Sequence, residues 1–316
     1  MIIRLLDKEE VVQIYQNKMP GDFAKGEIKP LERILELSER NQYFCYGIFE
    51  TGAEEKMISY CFLVTSAEKD AVLLDYFAVT ADVRGMGYGS RCLALLKEEI
   101  GKKKMGTLIL EVENPRYGAD EADRELRRRR IAFYIRNGMS LTPLRIFLYQ
   151  VEYLVMTSDE KQMMKTAEQI YHVYQVLLKA DKIKTRLNIS TNIRCVILNV
   201  DINIKHGSED GIRRTEELIK EVKKKGILVL TGVNGPDKFK AILKENDIEP
   251  EECMFFGDSD RDIEMLRYAG IGITAENASY LAKNASNYIA KPYKQGGFAD
   301  ILEEILQILN KSNRQL

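Results

Sequence analysis

Apolar positions in the first half of the chain fall in short dense runs. Residues 43–50 (YFCYGIFE), 57–65 (MISYCFLVT), 71–79 (AVLLDYFAV), 107–113 (TLILEVE) and 145–156 (RIFLYQVEYLVM) are rich in aromatic and β-branched side chains, the composition of strands. The turn TGAEEK separates the first two runs, and no helical period interrupts the first three, so an antiparallel meander is predicted. Elsewhere the period becomes 3.6. Cys92, Leu95, Leu96 and Ile100 share one face of a helix over Ser90–Ile100, and residues 121–137 form a second helix closed by Asn137-Gly138. Ser158 or Asp159 would cap a third helix with the stripe Met163, Ala167, Ile170, Tyr174 and Leu177. The polar stretch KADKIKTRLNISTN after it reads as a linker.

The second half alternates differently. CVILNV (195–200), ILVLT (227–231), CMFF (253–256), IGI (271–273) and YIA (288–290) are short apolar strands. Amphipathic helices over 212–225, 237–245, 260–269 and 298–309 alternate with them. That order predicts a doubly wound parallel sheet. The pattern therefore gives an α/β chain with a domain over 1–156, a helical linker over 157–192 and a second domain over 193–316.

Composition narrows the chemistry. The 47 basic residues balance 48 acidic ones, so no general nucleic-acid or membrane-surface role is expected. No run of about 18 apolar residues exists to span a bilayer. The opening MIIRLLDKEE turns acidic too early for a secretory signal. The five cysteines lack zinc-site spacing and an odd count suits no disulfide framework. A reducing, cytoplasmic setting with buried thiols is expected. Only His172 and His206 are present, which leaves a serine–histidine triad or multi-histidine metal centre almost without material. Catalysis must come from carboxylates, tyrosine and backbone amides acting on a cofactor.

The sharpest feature of the first domain is Arg84-Gly85-Met86-Gly87-Tyr88-Gly89, between the strand LLDYFAV and an amphipathic helix. Alternate glycines let the backbone approach a ligand, and the helix's free N–H groups and dipole favour an anion. A dinucleotide fingerprint fits worse, because its third glycine would fall one residue later; a P-loop lacks its lysine. The segment resembles the GNAT acetyltransferases, whose Arg/Gln-x-x-Gly-x-Gly/Ala turn holds the pyrophosphate of CoA. Arg84, Gly87 and Gly89 match that pattern, and Arg130-Ile-Ala-Phe-Tyr-Ile-Arg-Asn-Gly-Met139 is similar to the family's last helix. The resemblance covers roughly residues 1–155.

That resemblance implies a mixed, mostly antiparallel sheet with helices on both faces, binding acetyl-CoA through the amides of Gly85, Met86, Gly87, Tyr88, Gly89 and Ser90. It implies Tyr134 as the acid for the departing thiolate, and backbone from Phe77 to Val79 aimed at the acetyl carbonyl. Asn114 would touch the pantetheine arm. Asp75, on one face of its strand with Leu73 and Phe77, is the candidate base, with Glu111 and Glu113 as rivals. The run Arg127–Arg130 is expected to be a solvated face, with one arginine available to the CoA 3′-phosphate.

Residues 193–310 resemble the HAD superfamily, particularly its sugar-phosphatase-like members. Gly257-Asp258-Ser-Asp-Arg-Asp262 matches the family's Mg²⁺-binding motif at Asp258 and Asp262, although Arg261 replaces its usual asparagine. Lys238 and Thr231 match the phosphate-site lysine and threonine. Where that family has Asp-x-Asp-x-Thr, this chain reads Asn199-Val200-Asp201-Ile202-Asn203. An amide at the nucleophile's position is a poor nucleophile and brings the metal no charge. Only a few residues separate Thr231 from Lys238, so no cap fits there. A capless, Rossmann-like domain is expected, with Asp201, Asp258 and Asp262 as the remnant of a Mg²⁺ site and no catalysis.

The function expected is transfer of an acetyl group from acetyl-CoA to a small-molecule or peptide amine. The alternatives are a Mg²⁺-dependent HAD phosphatase with an accessory GNAT fold, and a non-catalytic acyl-CoA sensor. The acceptor and the oligomeric state are not legible.

Overall fold

The computed structural model describes residues 1–52, 55–148, 151–159, 165–178, 188–199, 209–292 and 295–312. The chain forms two compact units, each discontinuous in sequence. The first comprises Met1–Glu111, Ile131–Gly138 and Thr166–Ile183; the second comprises Val112–Arg130, Met139–Lys165 and Lys184–Leu316.

The first unit opens with β1 (Ile2–Leu5) and α1 (Lys8–Asn17), neither anticipated from the pattern. Asp7 and Glu10 start α1 as a reciprocal capping box, each side chain accepting from the other's backbone N–H at 2.9 Å. The short α2 (Met19–Asp22) and α3 (Leu31–Glu39) follow. The expected meander is present as β2 (Tyr43–Glu50), β3 (Lys56–Thr65) and β4 (Ala71–Val79). Both junctions are antiparallel, and β1 pairs antiparallel with β2. Helix α4 (Tyr88–Lys103) buries Cys92, Leu93, Leu96 and Ile100.

Strand β5 (Thr107–Glu113) lies parallel to β4. Their ladder runs from Ala71↔Thr107 to Leu74↔Leu110 and stops there, although β4 continues to Val79 and β5 to Glu113. Asp75 and Glu111 are thus the first residues past the last pair. Helix α5 (Glu121–Arg136) ends within this unit, as does α6 (Thr166–Leu177), which buries Ile170, Val173, Tyr174, Val176 and Leu177.

The second unit corrects the sequence reading in two places. The run 145–156 is not one strand. It divides between β6 (Ser140–Leu148) and β7 (Val151–Thr157), an antiparallel pair whose register closes at Leu148↔Val151. Within 157–192, read as a helical linker, residues 188–191 form β8 (Asn188–Thr191), which pairs antiparallel with β6. Polar residues suffice for a strand whose stability comes from backbone hydrogen bonds at a sheet position, which hydropathy does not register.

The expected parallel sheet is present in the order β10 (Leu228–Thr231), β9 (Cys195–Leu198), β11 (Cys253–Phe256), β12 (Ile271–Ala275), β13 (Tyr288–Ala290). Every junction is parallel. Its helices are α7 (Glu209–Lys224), α8 (Pro236–Glu245), α9 (Ile263–Tyr268), α10 (Tyr280–Ala285) and α11 (Gly297–Ser312). Strand alternation divides the core. Val196, Leu198, Met254 and Phe256 pack with Val222 of α7 and Leu302 and Ile305 of α11. Cys195, Ile197, Cys253 and Phe255 pack with Phe239 of α8 and Met265 and Leu266 of α9. Both faces are covered, which is why these strands are apolar throughout. All five cysteines are buried and unpaired.

Candidate functional sites

Both units carry candidate residues. In the first, the chain turns sharply between β4 and α4. Gly85 and Gly87 have φ of +80° and +81°, a region costly for residues with a Cβ. A Cβ built on either meets no atom within 4 Å, so neither glycine is required by crowding. Gly87 is the N-cap of α4 and offers no side chain to the helix's first amides, which leaves them for an anion. Arg84, Gly85, Met86 and Ser90 are exposed. The ring of Phe133 on α5 lies 3.3 Å from where a Gly89 Cβ would sit, which brings the helix of Tyr134 against the start of α4. Tyr134 is half-buried and stacks edge-on with Phe133, centroids 5.1 Å apart. Arg84 is used differently from the expectation. Its Nε donates to the Val79 carbonyl at 2.8 Å and its guanidinium pairs with Asp22, so it braces the turn. The Tyr88 hydroxyl donates to Glu50 at 2.7 Å.

Past the end of the β4–β5 ladder lies a cluster of titratable groups. Asp75 accepts from Lys29 Nζ at 2.6 Å and from the Tyr43 hydroxyl at 2.5 Å. Lys29 Nζ also stands 5.3 Å from the centroid of the Tyr76 ring, within cation–π range. Burial works against the Lys29 charge, but Asp75, with Tyr76 and Glu111, outweighs it and lifts the ammonium above its ordinary range. Burial likewise raises the Tyr43 phenol, and Asp75 adds to the rise. Glu111 accepts from the Tyr174 hydroxyl on both carboxylate oxygens, at 2.8 and 2.9 Å. Burial pushes its pKa up to about 7, held back by Tyr174 and Lys29 and helped by Asp75.

The candidates expected from sequence therefore separate. Asp75 is engaged by the Lys29 ammonium and the Tyr43 hydroxyl. Glu111 is poised near neutrality. Glu113 is tied to Arg127 at 3.0 Å and Arg130 at 2.7 Å. Phe77 and Val79 are half-buried on β4 beyond its ladder with β5. Asn114 belongs to the second unit and is fully buried. Its Nδ2 donates to Glu152 at 2.7 Å and its Oδ1 accepts from the Arg116 amide at 3.0 Å. Those bonds tie its side chain to the neighbouring strand and turn. The basic run divides: Arg127 and Arg128 are half-buried in ion pairs with Glu113 and Glu249, whereas Arg129 and Arg130 are exposed, as a solvated face would be. Lys29, Tyr43 and Tyr174 were not foreseen as site residues. Tyr174 showed only as an apolar-stripe position, which reports burial and not where a hydroxyl points.

In the second unit, Asn199, Thr231 and Asp258 follow or end β9, β10 and β11 at their carboxyl ends, the usual place for ligands in such sheets. Asn199 Nδ2 donates to Asp262 Oδ1 at 2.5 Å. The other oxygen of Asp262 accepts from the Asp258 amide at 3.1 Å, the Ser259 amide at 3.0 Å and the Ser259 hydroxyl at 2.7 Å. Asp262 is buried and its carboxylate fully engaged. A divalent cation needs oxygen ligands turned toward it, and here an amide donor occupies that direction. Asp262 is thus committed to internal bonds on both oxygens. Thr231 and Lys238 are exposed. Asp201 and Asn203 lie outside the described residues. A cluster of Glu68, Asp70 and His172 in the first unit also has metal-ligating atoms within 4.8 Å of one another; Asp70 already bonds His172 Nδ1 at 3.1 Å and the Ser66 hydroxyl at 2.6 Å.

A family model described as haloacid dehalogenase-like hydrolase matches residues 119–302. The match starts within the stretch the sequence assigned to the first domain. The 5-amino-6-(5-phospho-D-ribitylamino)uracil phosphatase YbjI of Escherichia coli is 32% identical over 80 residues, 25% of this chain and 30% of that enzyme. The chain thus spans less than a third of that relative's length. Among solved structures, a GNAT-family acetyltransferase from Bacteroides thetaiotaomicron is similar at 20% identity with a TM-score of 0.45, covering 57% of this chain and 100% of that one. A HAD-superfamily hydrolase of subfamily III A from Legionella pneumophila is similar at 16% identity with a TM-score of 0.33, covering 39% of this chain and 86% of that one.

Proposed function

The chain belongs to the haloacid dehalogenase-like hydrolase family, and from that premise we propose that its catalysis nevertheless resides in the first unit, as acyl transfer from acetyl-CoA to a primary amine. The observation that carries the proposal is the end of the β4–β5 ladder at Leu74↔Leu110. Directly beyond it stands Glu111, with a pKa of about 7. The uncapped N-terminus of α4 follows β4 across a glycine turn open to solvent.

The residues divide the reaction as follows. The α4 amides and the Gly85–Gly87 turn take the diphosphate of CoA. The β5-side amides of Phe77–Val79, left without a strand partner past Leu74, receive the acetyl carbonyl and the oxyanion that forms on it. Glu111 accepts a proton from the amine as its nitrogen bonds the acetyl carbon. The C–S bond then breaks, and Tyr134 gives the departing thiolate its proton. Asp75 does not serve as base here; with Lys29 and Tyr43 it forms the polar wall beside Glu111.

For the second unit we propose a retained scaffold without the family's phosphoryl-transfer route. That route needs a carboxylate that attacks phosphorus, and Asn199 supplies an amide bonded to Asp262. Mg²⁺-dependent turnover of p-nitrophenyl phosphate, abolished by Asp201→Ala, would overturn this part.

The transferase reading is tested by thiol release from acetyl-CoA with a panel of primary amines. Glu111→Gln is expected to lower the rate by roughly 10²- to 10³-fold while acetyl-CoA still binds, the usual scale for losing a general base. A variant as active as the parent would remove Glu111 from the mechanism.

A further inference from the structure

Helix α6 lies beyond the strands that the acetyltransferase resemblance covers, yet it is built into the first unit at three points. The Gln169 amide donates to the Asp70 carbonyl at 3.2 Å and to the Thr107 hydroxyl at 3.4 Å. His172 Nδ1 meets Asp70 Oδ2 at 3.1 Å. Arg33, from α3, donates to the Val176 carbonyl at 2.6 Å and the Leu177 carbonyl at 3.4 Å, closing the helix's C-terminal end. These contacts reach the turn before β4, the first residue of β5 and α3. Between them the helix presents one hydroxyl, that of Tyr174, to both oxygens of Glu111.

We propose that Tyr174 is a positioning residue for acyl transfer: α6 holds its hydroxyl on the Glu111 carboxylate, fixing where that group faces and at what pH it takes a proton. The inference rests on the transferase reading for what Glu111 does, but not for how Glu111 is held. A tyrosine O–H donates to the ionised carboxylate and stabilises it. The other groups bearing on Glu111 are Lys29, from the loop before α3, which favours its charge, and Asp75, on β4, which opposes it. Burial alone would leave Glu111 protonated at neutral pH and useless as a base. The hydrogen bond from α6 offsets part of that cost, so a helix outside the usual domain boundary sets the working range of the site.

The test is an NMR titration of the full-length chain carrying ¹³C-labelled glutamate side-chain carboxylates. The Glu111 signal is assigned by its loss in Glu111→Gln. Tyr174→Phe deletes one oxygen and keeps the buried ring, and a thermal melt confirms that it folds. In the parent chain the Glu111 signal is expected to titrate near neutrality. In Tyr174→Phe the midpoint is expected to rise by about one unit, a tenfold change in the protonation constant that fits loss of one charge-assisted hydrogen bond. An unmoved midpoint, or a parent Glu111 that titrates with ordinary exposed glutamates, would overturn the proposal. Neither outcome depends on acetyl-CoA. If the midpoint moves but the parent chain neither binds acetyl-CoA nor releases its thiol, the transferase reading fails and the tuning of Glu111 stands.

Discussion

Two carboxylates on neighbouring strands, Asp75 and Glu111, are held by different neighbours. Asp75 accepts from an ammonium and a phenol, whereas Glu111 accepts from the Tyr174 phenol, and that bond with the nearby Lys29 charge only partly offsets its burial. The difference has a thermodynamic signature. The folded chain holds the Glu111 proton up to about 7, while the unfolded chain releases it near 4.5. Proton binding by Glu111 therefore favours the folded state fully below the unfolded pKa, and that contribution is lost as pH rises through the folded one. Denaturant unfolding between pH 5 and 8 is expected to show a decline that Glu111→Gln flattens by on the order of 2 kcal/mol. Equal slopes in the two proteins would mean Glu111 titrates normally. At this scale the sequence was half legible. Strand alternation nominated Asp75, Glu111 and Glu113 together, but choosing among them required their partners: Lys29 and Tyr174 are 46 and 63 positions away from the carboxylates they bond.

The elements were easier to read where a periodic apolar pattern met a chemical punctuation mark. The β2–β4 meander, the glycine turn into α4 and the alternating strands and helices of the second unit all satisfy that description. Strand β8 and the β6–β7 division did not, because polar residues and a continuous apolar run carry no boundary signal. The β9–β11 strand ends yield their own prediction. Asn199→Asp would set a second carboxylate against Asp262, now 2.5 Å from the amide. Two unscreened carboxylates at that range repel, so the variant is expected to melt several degrees lower than the parent in chelator. Mg²⁺ should restore most of the loss, since a cation would then have two charged ligands. A variant indifferent to both would show that the amide–carboxylate bond does not hold this end of the sheet.

At the scale of the whole molecule, the two units present different sets of residues. The second belongs to the haloacid dehalogenase-like hydrolases; Thr231 and Lys238 are exposed there and Asp262 is engaged by internal hydrogen bonds. The first has an exposed glycine turn before an uncapped helix, a buried glutamate with a pKa near neutrality and a tyrosine on the adjoining helix, the groups on which the proposed transfer rests. No helix among the described residues is long and apolar enough to cross a membrane, and the near-equal charges offer no broad basic surface to a nucleic acid. Function thus rests on whether the first unit holds an acyl-CoA. Isothermal titration of the full-length chain with acetyl-CoA asks this directly, with Gly87→Glu as the comparison. One acetyl-CoA per chain is expected to bind the parent, and the variant's affinity should fall at least about tenfold, because a carboxylate would point into the space meant for the diphosphate. Absence of binding to the parent, or equal affinity in a folded variant, would contradict the account.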